Sequence, residues 1–348
     1  MKAIVIHAYG GPEVLSYEDV PDPVPRVGEV VVAVHAVSIQ RVLDVEVRKG
    51  TQGRRGVKLP LVPGVDPSGI VAAVGDKAPG FKPGDRVVVS HHVACGECAA
   101  CRAGEPGRCQ GELMLGIHRW GGDAEYVRVP YTSVSHIPDG LDFATAIVVS
   151  RHAGTAYKLL VHAAKLQPNE TVLIMGAAGN LGSMGIQIAK HMIGATVIAT
   201  AGSAARAATG LEMGADHAVD YSRQDLTKAV MDLTEGKGVD VVYDNIANPE
   251  TLPKAIACLK KGGRLVTAGA HGGPIVPVDF GQLYHKNLTF LGVTGFRDED
   301  YPAIFQAAAE GKIRGHYERI MPLREVAEAH RMIEADPGLG KIILDPTL

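Results

Sequence analysis

The sequence lacks the features that mark a membrane, secreted or nucleic-acid-binding protein. Its 348 residues hold one Trp, six Phe and five Cys. No apolar run is long enough to span a bilayer. The opening MKAIVI has no charged region, apolar stretch and small-residue cleavage site, so a cytoplasmic location with reduced thiols is expected. Lys and Arg are dispersed, with a formal net charge of -3 and a pI near 6.5. Such a surface does not attract a phosphate backbone, and neither nucleic acid nor a membrane is expected as a partner. Repeats and low-complexity segments are also missing. What remains is 46% hydrophobic and 21% charged, with 42 Gly, over a length that suits two cores better than one.

Four of the five cysteines, Cys95, Cys98, Cys101 and Cys109, crowd the run CGECAACRAGEPGRC. Thiolates at that spacing suit tetrahedral zinc. A disulfide cluster is the alternative, and a reducing compartment weighs against it. Four thiolates close the coordination sphere and leave no position for water or substrate, so the zinc is structural and the chemistry lies elsewhere. The fifth, Cys258, falls on the apolar face of a helical segment and is expected in the core.

Up to about residue 150 the chain is a series of short β-branched runs, KAIVIH, EVVVAVHAV, GIVAAVG, DRVVVS and AEYVRV, separated by Gly and Pro turns. From about Ser150 the texture changes. TVLIMG, ATVIAT, HAVDY, VDVVYD and RLVTAGA read as buried strands, and the amphipathic segments between them as helices. Strands alternating with helices predict a doubly wound parallel sheet, so the chain is α/β with a β-rich first domain. After Leu288 come LTFLGVTGF, two helical stretches and the apolar strand KIILD, which is expected to return to the first domain.

The first strand of the second half runs into Gly176, Ala177, Ala178, Gly179, Asn180, Leu181 and Gly182, then directly into a helix. Glycines there allow a tight turn and let the backbone approach a pyrophosphate at the helix N-terminus. A generic strand-to-helix turn that binds nothing is the alternative. At the tip of the second strand an NAD site usually carries an Asp or Glu for the ribose hydroxyls. Here the tip reads Ala201-Gly202-Ser203, followed by Arg206, with no acid. Ser203 and Arg206 suit a 2′-phosphate, so NADPH is the expected cofactor over NADH.

Together these pieces resemble the medium-chain dehydrogenase/reductase superfamily. The resemblance covers essentially the whole chain through MKAIVI, VPGVDPSGIVAAVG, FKPGDRVV, the cysteine lobe, GGDAEYV, GAAGNLG, LEMGADHAVDY and GKIILD. It implies a GroES-like catalytic domain at 1–152, with the zinc lobe at about 91–112. A Rossmann domain follows at 153–290, and 291–348 return to the catalytic domain. It also implies a small-molecule substrate and a homodimer or homotetramer.

In the zinc-dependent branch of that family a Cys, a His in Gly-His-Glu and a second Cys hold a catalytic zinc. The corresponding motif here is Gly64-Val65-Asp66, so the His is Val65. The first Cys position falls on Arg41 in one register and on Gln40 when counted from the strand end, and the second falls on Arg151. Val has no donor atom and Arg stays protonated, so no catalytic zinc is expected. Arg41 and Arg151 beside Asp66 would polarise a carbonyl or hold an anionic acceptor, or else form a structural ion pair. His152 and Glu46 are candidate proton carriers, while His118, Arg119 and Trp120 border the substrate pocket by resemblance. The expected activity is an NADPH-dependent reduction of an enone, enal, enoyl-type acceptor or quinone. The alternatives are a zinc-independent alcohol or aldehyde dehydrogenase and a non-catalytic NADPH-binding structural or RNA-binding protein.

Overall fold

A computed structural model describes residues 1–51, 56–103, 109–111, 113–273, 275–335 and 341–348. Residues 104–108 and 112 of the cysteine lobe, and Gly340 of GKIILD, lie outside that set. The chain divides into two units, one of Met1–Ser150 with Gly315–Leu348 and the other of Arg151–Arg314.

The first unit opens with the hairpin β1 (Lys2–Ile6) and β2 (Leu15–Asp19), followed by β3 (Glu29–Ser38), β4 (Pro67–Val74) and β5 (Arg86–Val89). The short pair β6 (His92–Val93) and β7 (Leu113–Met114) brackets the cysteine lobe. Then come β8 (Tyr126–Pro130) and β9 (Val134–His136). In the second unit β10 (Thr171–Met175), β11 (Thr196–Ala201), β12 (His217–Asp220), β13 (Val239–Asp244), β14 (Leu259–Thr267) and β15 (Thr289–Gly292) are joined by helices. The chain closes with β16 (Tyr317–Pro322) and β17 (Lys341–Asp345) in the first unit.

The large sheet of the first unit runs β16-β17-β3-β4-β5-β9, and β8 also pairs with β3. β3 is its centre. Its EVVVAVHAVS is buried almost throughout, because β4, β8 and β17 take its backbone groups while Val30, Val32, Val34 and Val37 enter the core with Ile342 and Leu344. The sheet of the second unit is wholly parallel, in the order β12-β11-β10-β13-β14-β15. The order reverses between β10 and β13, which is where ligands bind in open α/β sheets. All six residues of β13 are buried.

The return begins at Gly315, later than the residue 291 expected from sequence. Residues 291–314 are tied to the rest of the second unit, the Thr294 carbonyl accepting from Lys158 Nζ at 2.8 Å and Asp300 Oδ1 lying 2.9 Å from His162 Nε2. Phe296 meets Tyr301 at 5.3 Å between ring centroids, and Tyr301 stacks on Phe305 at 5.2 Å. Gln187 then fixes Arg314, accepting its backbone N–H at 2.8 Å. Cys258 is fully buried and donates to the Lys254 carbonyl, and burial pushes its thiol up to about 11.

Candidate active site

The cysteine lobe is built by local turns. The Sγ atoms of Cys95, Cys98, Cys101 and Cys109 all lie within 4.8 Å of one another. Three of the separations are 3.4, 3.9 and 3.9 Å. Sulfurs about 2.3 Å from a tetrahedral zinc would stand about 3.8 Å apart, so the set fits that ion. Backbone N–H groups of Cys98, Cys101 and Cys95 point at the sulfurs of Cys95, Cys98 and Cys109. The Cys101 N–H leads in pulling Cys98 down to about 6, whereas desolvation leads in pushing Cys101 up to about 12. Four such thiols do not all ionise without a cation among them.

The dinucleotide turn follows β10. Gly176 has φ +73°, in the left-handed region, and Gly179 caps the helix Asn180–Gln187. A Cβ on Gly182 would stand 2.1 Å from the Gly176 carbonyl oxygen, so only glycine lets helix and turn approach this closely. Asn245, at the end of β13, donates to the Met175 carbonyl at 3.3 Å and fixes the switch point. The Ala177 N–H bonds to the Thr200 carbonyl, which ties the turn to β11. The residues therefore fit a bound dinucleotide.

At the end of β11, Ser203 caps the helix Ala204–Glu212 by accepting the Arg206 N–H. Arg206 is exposed. Tyr221 lies across from the tip, its ring 3.2 Å from where a Cβ on Gly202 would be. Burial raises the Tyr221 hydroxyl, and the Arg206 charge opposes that. Sequence reasoning missed Tyr221, which directly follows β12 and is 15 residues beyond Arg206.

In the first unit Asp66, 4% exposed, is surrounded by hydrogen-bonding groups. Gln40 Nε2 donates to Asp66 Oδ2 at 2.6 Å and to Ser38 Oγ at 2.8 Å. Ser38 Oγ also lies 3.4 Å from Asp66 Oδ2, and His91 Nδ1 is 3.7 Å from Oδ1. The amide that reaches Asp66 thus comes from Gln40, the residue chosen by counting from the strand end. Arg41 begins the helical turn Arg41–Val45 and is half-buried. Val65 is fully buried against Leu43, Leu61 and Ile117 and offers no donor atom to a metal. Among the described residues the cysteine lobe is the one group arranged to hold a metal.

The other expected residues are more scattered. The Glu46 carboxylate meets the Thr51 hydroxyl. Arg151 and His152 open the second unit on the helix Phe143–Tyr157, both half-buried. The loop expected to border the pocket is held by local partners: the Met114 N–H donates to His118 Nδ1, Arg119 pairs with Glu29, and Trp120 Nε1 donates to the Pro60 carbonyl. Trp120 lines an open groove with Met1, Pro21 and Leu113. His91 was missed as a partner of Asp66, because the two are brought together from separate strand ends.

Residues 26–139 match the Alcohol dehydrogenase GroES-like domain family and residues 180–310 the Zinc-binding dehydrogenase family. An NAD-dependent alcohol dehydrogenase of Sulfurisphaera tokodaii (strain DSM 16993) is 32% identical, over 99% of this chain and 100% of that protein. The human (Homo sapiens) quinone oxidoreductase is 30% identical, over 99% of this chain and 97% of its own length. Among solved structures, that of AibC superimposes with a TM-score of 0.92 at 32% identity, covering 99% and 95% of the two chains. A crystal structure of an NAD-dependent alcohol dehydrogenase gives a TM-score of 0.86 at 37% identity, covering 99% of each. The chain is thus an oxidoreductase of the medium-chain dehydrogenase/reductase superfamily.

Proposed function

We propose that the protein is an NADPH-dependent reductase of activated double bonds or quinones that works without a catalytic zinc. The observation that carries this reading is the surroundings of Asp66: an amide, a hydroxyl and an imidazole, with Val65 turned into a hydrophobic cluster. One carboxylate and one imidazole do not make a catalytic zinc site, which needs three protein ligands. Alcohol oxidation usually draws on a Lewis acid to ionise the hydroxyl, whereas reduction of a polarised double bond needs hydrogen-bond donors for the charge that develops on oxygen.

The reduced nicotinamide, when bound, supplies the hydride. The chain's own residues do the rest. The glycine turn and the N-terminus of Asn180–Gln187 receive the pyrophosphate through backbone N–H groups. Arg206 and Tyr221 receive the 2′-phosphate beside a strand tip that carries no acid. Gln40 and His91 fix Asp66, and the His91 imidazole is a candidate proton carrier. Arg41, Arg151, His152 and Glu46 remain candidates for orienting the acceptor or relaying the proton, to be tested by substitution.

The chain is also read as a homo-oligomer. Ile275, Phe280 and Tyr284 are 82%, 72% and 66% exposed, and β15 is an edge strand of its sheet. Large exposed apolar side chains and an open strand edge suit a second copy.

A second reading, alcohol oxidation with NAD, is favoured by the names of several relatives. Following absorbance of the reduced nicotinamide with enones, quinones, aldehydes and alcohols, with either cofactor, separates the two. NADPH oxidation by enones or quinones supports the proposal, and NAD-dependent alcohol oxidation as the main activity sinks it.

A further inference from the structure

The first unit carries an open groove of about 740 Å³ that the proposed reaction does not use. None of Ser38, Gln40, Asp66 and His91 lines it. Its floor is apolar, with Val62 and Val127 buried there and the Gly121 N–H donating to the Val62 carbonyl at 2.7 Å. Trp120, Leu113 and Val24 line it while 41%, 43% and 72% exposed. The Trp120 indole is held in place, because its Nε1 donates to the Pro60 carbonyl at 3.3 Å. Pro21 and Pro23 stiffen the segment that carries Val24, since their rings lock the backbone.

Three guanidinium groups, those of Arg26, Arg119 and Arg128, line the same groove. One carboxylate answers two of them. Glu29, 8% exposed, meets Arg119 Nη2 at 2.6 Å with Oε1 and Arg128 Nε at 3.1 Å with Oε2. The other carboxylate of the groove, Asp22, is balanced by the Met1 ammonium at 2.6 Å. Arg26 gives Glu29 its backbone N–H at 3.3 Å, while its side chain is exposed and pairs with no carboxylate among the described residues. Of the charges close by, Lys2 pairs with Asp19, and Glu125 accepts the Lys2 N–H. Three guanidinium groups against the one carboxylate of Glu29 leave the groove with positive charge in excess above an apolar floor.

Concave apolar surface of this size with a charged border suits a small organic molecule. The guanidinium fork matches a carboxylate, and an indole offers a face on which an aromatic ring packs. We propose that this groove binds an amphiphilic organic anion, an aromatic acid whose ring lies on Trp120 and whose carboxylate pairs with Arg26. The groove is built before the ligand arrives, because prolines and the Trp120 hydrogen bond already fix its walls, and this lowers the ordering cost of binding. Its test needs neither the nicotinamide nor the acceptor.

The chain has one tryptophan, so quenching of its emission reads this groove directly. The probe is 4-nitrobenzoate, a quenching aromatic acid, and 4-nitrobenzamide is its uncharged counterpart. The acid should quench Trp120 saturably with a Kd below about 1 mM, as suits a ligand this small in an open groove. The amide should bind about tenfold more weakly, because the charge-assisted contact is lost. Arg26→Gln should melt as wild type does, since the side chain is exposed, and should weaken the acid about three- to fivefold with the amide unchanged. Arg26→Glu, which reverses the charge, should weaken the acid further. Quenching that rises linearly with probe and never saturates would overturn the proposal. So would equal affinities for acid and amide, or an Arg26→Glu protein that binds the acid as wild type does.

Discussion

Replacing Gly182 by Ala tests the dinucleotide turn through its tightest contact. The new methyl group would lie 2.1 Å from the Gly176 carbonyl oxygen and 2.8 Å from its carbon, where contacts below 3.0 Å essentially never occur. Turn and helix must separate by about 0.9 Å, the difference between those two limits. Gly176 sits at φ +73° between β10 and the helix, so neither side yields freely. Overpacking of this kind costs about 1–3 kcal/mol, and the better helix propensity of Ala returns just under about 1 kcal/mol. A net loss of up to about 2 kcal/mol should lower the melting temperature by up to roughly 6 °C. Because the displaced atoms include the helix N-terminus that faces the pyrophosphate, NADPH affinity should fall at least about tenfold. Gly179→Ala is the internal comparison. Its Cβ would meet the same oxygen at 3.3 Å, so its melting temperature should change little. Calorimetry and fluorescence titration read the two quantities. Wild-type melting and wild-type NADPH affinity in Gly182→Ala would refute the close-approach argument.

Cys98→Ser should reduce zinc from one per chain to substoichiometric and loosen the lobe, checked by elemental analysis and limited proteolysis, because metal binding and local folding are coupled there. Arg206→Ala should cost about 1–3 kcal/mol of NADPH binding and leave NADH binding nearly unchanged, since a charge-assisted contact to the 2′-phosphate is lost; equal losses for both cofactors would remove Arg206 from the phosphate site. His330 is fully buried, and desolvation, then the charge of Arg48, lower it to about 3. Its native state binds fewer protons than the unfolded chain between about 6.5 and 3, so its contribution is complete above about 6.5 and is lost as pH falls, at up to about 1.4 kcal/mol per unit. His330→Leu should flatten the acid limb of stability measured by denaturant titration.

Features coded by neighbouring residues were legible in the sequence. The four cysteines span 15 positions and the glycine turn seven, so spacing alone carried the metal lobe and the pyrophosphate turn. The reading of Val65 as the position of a family His came from a motif just as short, Gly64-Val65-Asp66. The choice between Gln40 and Arg41 was not, because β3 ends at Ser38 and a helical turn begins at Arg41, leaving the register open by one residue. His91 lies 25 residues beyond Asp66. Such a pair meets only when the sheet brings strand ends together, which neither periodicity nor composition encodes. Tyr221 escaped for the same reason, as it reaches the Gly202 tip from the next strand of the sheet. The late return at Gly315 reflects contacts of Thr294 and Asp300 with Lys158 and His162, distant in sequence, which the apolar pattern alone did not assign to either unit.

The central claim is reduction of an activated double bond or quinone without a catalytic metal. Its most direct measurement is NADPH-dependent enone and quinone reduction by protein of known zinc content, before and after brief chelation that leaves the lobe loaded. One zinc per chain, unchanged turnover after chelation and little alcohol oxidation are the expected results. Two zincs per chain, with alcohol oxidation that collapses on chelation and returns when zinc is added, would contradict it.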